Sequence, residues 1–157
     1  PIATSTPAAN GGYIALAGNF AITVAYDAPT TSTGAVSVVD LNALAPVGTP
    51  MPAPDVRAAT FATLGGTATI ALGFPTRSVG TTEGVGQVEL HAVDTAAGTV
   101  GATVTEMLSI PEADNDLLFG RALTAMTYNN QSILVVAANN VVYAYYKTLL
   151  YGDTRQK

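Results

Sequence analysis

Apolar residues in this chain come in short runs, separated by clusters of Gly, Pro, Asn and Asp. Residues 85–93 show the dominant pattern. Val88, Leu90 and Ala92 alternate with Gln87, Glu89 and His91, and a period of two puts the sets on opposite faces of a strand. The run Ile133-Leu134-Val135-Val136-Ala137-Ala138 does not alternate. A strand of that kind is covered on both faces, so Ile133 to Val136 are all expected to be buried and sheets are expected to stack. The spacing predicts strands near 12–18, 20–26, 34–41, 56–63, 67–73, 85–93, 103–109, 121–127, 132–138 and 140–147. Thr and Val are abundant and favour pleated surfaces, whereas Leu, Glu and Lys at helical spacing are missing. The predicted class is all-β, with about ten short antiparallel strands in stacked sheets.

Two polar stretches punctuate the pattern. Pro46, Pro50, Pro52 and Pro54 crowd into residues 45–54. Proline lacks a ladder donor, so this stretch is predicted to be a linker or surface loop. Residues 1–11 read as an N-terminal arm that orders against a partner. The predicted organisation is this arm, a β-repeat domain over 12–147, and a polar tail over 148–157.

The chain also resembles itself. Phe20–Pro29 followed by Gly34–Asp40 matches Thr67–Pro75 followed by Gly86–Asp94, and both match Ser132–Asn140 followed by Val141–Tyr146. Each window is a buried strand, a turn and a second strand with apolar alternation. Pro29 and Pro75 are 46 residues apart, and Pro75 and Asn139 are 64 apart. That period suits a four-stranded propeller blade.

These residues resemble the FG-GAP repeats of integrin-type β-propellers. Phe119-Gly120-Arg121-Ala122-Leu123 is similar to the opening of such a repeat. Asp27-Ala28-Pro29 and Gly73-Phe74-Pro75 are similar to its Gly-Ala-Pro element, and Val141-Val142-Tyr143-Ala144-Tyr145 to its last strand. The resemblance spans roughly residues 12–147 and implies about two and a half blades, an incomplete propeller. The family often carries a calcium loop of the form Asp-x-Asp-x-Asp-Gly. The matching turns here, Leu64-Gly65-Gly66 and Tyr128-Asn129-Asn130-Gln131, supply no carboxylates, and calcium needs six to eight oxygens. No calcium role is therefore carried over, and no cofactor is expected.

Composition narrows the function. The 157 residues are 48 % hydrophobic and only 11 % charged, which argues against disorder. Six Lys plus Arg against eleven Asp plus Glu give −5, which disfavours nucleic-acid partners. The lack of cysteine removes disulfides, thiolate metal sites and Cys nucleophiles, and a single His removes two-His motifs. No apolar run is long enough for a membrane-spanning helix. The opening Pro1-Ile2-Ala3-Thr4-Ser5-Thr6 lacks the basic and apolar regions of a signal peptide, so the chain reads as cytoplasmic in origin or as a processed product.

No catalytic constellation is found, and an enzyme is not expected. Glu112-Ala113-Asp114-Asn115-Asp116 is the one dense acidic cluster and reads as a solvated turn. His91 shares a strand face with Gln87 and Glu89 and is expected to be exposed. Gly65-Gly66 and Gly84-Val85-Gly86 read as hairpin turns and not phosphate loops. Tyr143, Tyr145, Tyr146 and Tyr151 gather near the C-terminus beside Lys147, and are the candidate interface because tyrosine suits surfaces that are partly apolar and partly wet. The expected function is a non-catalytic structural or adhesion-type interaction module, extracellular or at the cell surface, whose partners are other protein chains. A viral or phage structural component (capsid, decoration or tail) is the alternative. An enzyme whose active residues lie on a missing half of a propeller is a third.

Overall fold

A computed structural model describes residues 12–26, 33–110 and 117–146. Among them eleven strands follow one another: β1 (Gly12–Ala17), β2 (Phe20–Ala25), β3 (Ala35–Asp40), β4 (Ala45–Pro52), β5 (Ala58–Leu64), β6 (Thr67–Phe74), β7 (Gln87–Asp94), β8 (Thr99–Leu108), β9 (Ala122–Tyr128), β10 (Gln131–Ala137) and β11 (Val142–Tyr146). They form three antiparallel meanders in chain order: a first sheet β1-β2-β3-β4, a middle sheet β5-β6-β7-β8 and a third sheet β9-β10-β11. The all-β reading with stacked, blade-like sheets therefore holds. The arm at 1–11, the Asp27-Ala28-Pro29 element, the acidic cluster at 112–116 and the tail from 147 lie outside the described residues.

The sheets stack with the middle one enclosed. One core lies between the first and middle sheets and contains Ile22, Val24, Val36, Val38, Ile70, Leu72 and Phe74. A second lies between the middle and third sheets and contains Leu64, Val88, Leu90, Leu108, Leu134 and Val136. Burying each large apolar side chain contributes about 1.5–3 kcal/mol. Because both its faces are covered, β6 is buried without interruption from Thr69 to Phe74. That continuous burial was expected of 132–138. There, only Leu134 and Val136 are fully buried, while Ile133 and Val135 on the opposite face are half-buried. The third sheet is therefore fully covered on one face only.

Residues 45–54, expected to be a linker, are instead mostly strand. Ala45, Pro46 and Val47 of β4 pair with Asp40, Val39 and Val38, and after a bulge Met51 and Pro52 pair with Val36 and Ala35. β4 is the outer edge of its sheet, so it needs ladder donors on one side only, and an edge strand tolerates proline for that reason.

Local chemistry sets the turns. The β5–β6 and β9–β10 hairpins turn on Gly65-Gly66 (φ 55° and 81°) and Asn129-Asn130 (φ 48° and 59°). Two consecutive positive φ values are the type I′ signature, and Gly and Asn tolerate them best. The β3–β4 and β7–β8 turns share another device. Asp40 Oδ1 accepts from the N–H groups of Asn42 and Ala43, and Asp94 Oδ1 from those of Ala96 and Ala97.

The sheets are joined by their connecting segments. Phe119 is buried between the middle and third sheets, its N–H donating to Val85 O at 2.8 Å. A Cβ on Gly73 would lie 2.1 Å from Gly120 O, so the backbones of β6 and this segment touch directly. The Phe-Gly element picked out in the sequence is thus an inter-sheet contact. Tyr13 and Tyr26 act similarly one sheet earlier. Their hydroxyl oxygens accept from the N–H groups of Phe61 (2.8 Å) and Ala59 (3.2 Å) on the free edge of β5.

Gly73→Ala should lower stability to urea by about 1–3 kcal/mol, because the added methyl must push two backbones apart. Gly48→Ala is the reference, since its φ of 67° is strained for alanine but nothing lies within 4 Å of the new methyl. A smaller loss at position 73 than at 48 contradicts this account of the sheet contact.

Candidate functional site

The two ends of the stack present sheet faces that the described residues do not cover. On the third sheet, cross-strand register lines up Ala122, Ala137 and Val142, then Thr124, Val135 and Ala144, then Met126, Ile133 and Tyr146. Met126 is 50 % exposed and Val142 67 %. On the first sheet the outer rows are Ile14, Thr23 and Ser37, and Leu16, Ala21, Val39 and Pro46. Ile14 is 71 % exposed and Leu16 69 %. None of these rows contains Asp, Glu, Lys or Arg. Two exposed, uncharged, largely apolar sheet faces are unusual in a lone soluble unit, and such patches mark interaction surfaces.

The tyrosines expected at an interface divide between the two faces of β11. Tyr145 is buried, and its hydroxyl donates to Glu106 Oε2 at 2.7 Å. Tyr143 meets Phe119 edge-on, ring centroids 5.4 Å apart at 73°. Both therefore belong to the contact between the middle and third sheets, because odd-numbered residues of β11 point inward. Tyr146 lies on the outer face, opposite Ile133. Tyr151 lies outside the described residues. The residues that the tyrosine reading missed are Met126, Ile133, Val135 and Val142. Their signal was present in the unbroken apolar run of β10, which indicates a second face awaiting a cover.

His91 is not exposed as expected but 3 % exposed. His91 stays on the face it shares with Glu89, but it pairs with Ile70, and that face lines the core covered by the first sheet. Its Nδ1 lies 2.9 Å from Gly101 O, and its Nε2 lies 3.4 Å from Glu89 Oε2. Both partners can only accept, so a neutral ring donates to one and an imidazolium to both. The Arg77 guanidinium bonds Glu89 Oε1, and its carbon sits 3.5 Å above the Phe74 ring. The hydrogen bond from His91 is the main cause holding the Glu89 carboxyl below its ordinary value of 4.5; burial opposes it and Arg77 adds to it. The trio ties β7 to the loop after β6. With its ring nitrogens engaged and its side chain buried, His91 is placed to hold structure and not to meet a substrate.

Gly65-Gly66 make the hairpin turn expected of them, whereas Gly84 and Gly86 lie not in a hairpin turn but in the loop before β7. Gly84 and Gly86 have φ of 62° and 86° and accept the segment before β9, with Leu118 N–H donating to Gly84 O. Among the described residues, no three His, Asp or Glu side chains cluster so as to hold a metal ion, and no helix is long and apolar enough to cross a membrane. Comparison with known protein families finds no match, and no curated protein matches the chain.

Because the folded Glu89 value is depressed, its contribution to stability is complete above about pH 4.5 and is lost as pH falls through the lower folded value. The stability advantage of the native chain over Glu89→Gln, followed by thermal melting from pH 7 downward, should hold steady to about 4.5 and then shrink. An advantage that grows with acid contradicts the assignment.

Proposed function

We propose that the chain is a non-catalytic structural interaction module that supplies three propeller-blade-like sheets to a larger protein assembly. The observation that carries this reading is the pair of uncharged apolar faces left open at opposite ends of the stack. Inside the molecule the same kind of face is always covered by another sheet. Exposing both in water forfeits the free energy that the two internal cores gain, at roughly 25 cal/mol per Å² of apolar surface.

The three-stranded third sheet supports the same reading. Its two companions each have a fourth strand, and β11 ends the described sheet with an open edge that invites pairing. The likeness of Phe119-Gly120 to the opening of an FG-GAP repeat gains support from its position between two sheets, where it acts as an inter-sheet contact. We propose a setting outside the cytoplasm or at a cell surface, in keeping with the low charge and the small-residue Ala, Thr, Gly and Val composition.

Native mass spectrometry of the chain, extracted from its source without denaturant, tests this reading. The 15.9 kDa chain is expected to travel bound to at least one further protein chain. A bare 15.9 kDa species as the sole form would contradict it.

A further inference from the structure

The step from one sheet to the next is made twice by the same device. Between β4 and β5, Asp55 has a positive φ of 69°, Val56 is fully buried, and Arg57 N–H donates to Gly73 O at 2.9 Å. Between β8 and β9, Leu118 has φ of 54°, Phe119 is buried, and Arg121 N–H donates to Ala137 O at 3.2 Å. Gly73 and Ala137 hold the same place, near the end of the second strand of their sheets. The first strands lie together, β1 against β5 and β5 against β9, while β4 and β8 at the outer edges meet more sparsely. Sheets that gather at their first strands and open at their last form a fan. A rotation repeated in a fan closes into a ring if the angles sum to a full turn, and the contacts that build it are head-to-tail.

The fan has one uncovered face of each hand. The outer face of the first sheet is the kind of face that the middle and third sheets turn toward their predecessors. The outer face of the third sheet is the kind that the first and middle sheets turn toward their successors. Both lack charge, so neither repels the other. The third sheet's face is bulky along Met126, Ile133 and Tyr146, whereas the first sheet's is small along Ala21, Thr23 and Ser37 with Ile14 and Leu16 at its β1 margin. A three-stranded face of seven residues covers on the order of 300 Å² in projection, at ~3.3 Å per residue and ~4.8 Å per strand. One such contact falls short of the roughly 800 Å² per partner of a stable complex. Two contacts per copy, made together, approach it.

Resting on the reading of the chain as an assembly module, we infer that its partner is a second copy of itself. The outer face of β9–β11 in each copy docks on the outer face of β1–β4 in the other, closing a ring of six sheets.

Sedimentation of the recombinant chain across a concentration series, with charge substitutions on each face, tests this. The unaltered chain is expected to sediment as a dimer of twice 15.9 kDa. Met126→Lys on β9 and Ile14→Glu on β1, both exposed and on the first strands that the fan brings together, should each give a monomer with unchanged β-sheet circular dichroism. The double variant should recover the dimer, because a head-to-tail contact sets the introduced ammonium of one copy against the introduced carboxylate of the other. A monomer at every concentration overturns the proposal, as does a dimer broken by Met126→Lys alone, which would join like faces. An open series of larger species overturns the ring. If the recombinant chain is monomeric while the chain from its source travels with a different protein, the second-copy proposal fails and the module reading stands.

Discussion

A β-sheet with two apolar faces is stable in water only when something covers both, and this fold depends on that constraint. The middle sheet meets it. Ile70, Leu72 and Phe74 face one core, Ala71 and the covered side of Gly73 face the other, and β6 is dry from Thr69 onward. The terminal sheets meet it on one side only. The same packing that holds the molecule together therefore leaves Ile14 and Leu16 at one end and Met126 and Val142 at the other in contact with solvent. The functional reading follows from this imbalance and not from any reactive group.

Polar chemistry in the molecule serves the stack. Tyr13 and Tyr26 satisfy donors on the free edge of β5, Tyr145 reaches from the third sheet to Glu106 in the middle one, and Arg77, Glu89 and His91 bind a strand to its neighbouring loop. Each polar side chain crosses a junction that apolar contact alone would leave without fixed direction. The buried Phe119 and the glycines around it do the same with backbone, since Gly73, Gly86 and Gly120 allow approach distances that any side chain would forbid.

Much of the architecture was legible in the sequence because period-two alternation and turn residues act locally. Ten of the eleven strands lie close to where alternation placed them. β4 was missed because proline weighs against a strand only where ladder donors are needed on both sides, and an edge needs one. His91 was misjudged because alternation groups it correctly with Glu89 but does not say that the first sheet covers that face. The candidate surface was only half legible. Tyrosine content pointed to β11, yet Tyr143 and Tyr145 turned out to be committed inward. The apolar run in β10 pointed to burial on two faces, whereas the structure covers only the Leu134 and Val136 face and leaves Ile133 and Val135 half-buried.

Oxidative footprinting of methionine tests the central claim, that the outer face of the third sheet is covered in the working assembly, most directly. Met126 on that face and Met107 on β8 are almost equally exposed in the single chain, at 50 % and 49 %. Equal labelling is expected in the dilute isolated chain, and selective protection of Met126 in the native assembly. Equal labelling of both residues in the assembly would contradict the claim.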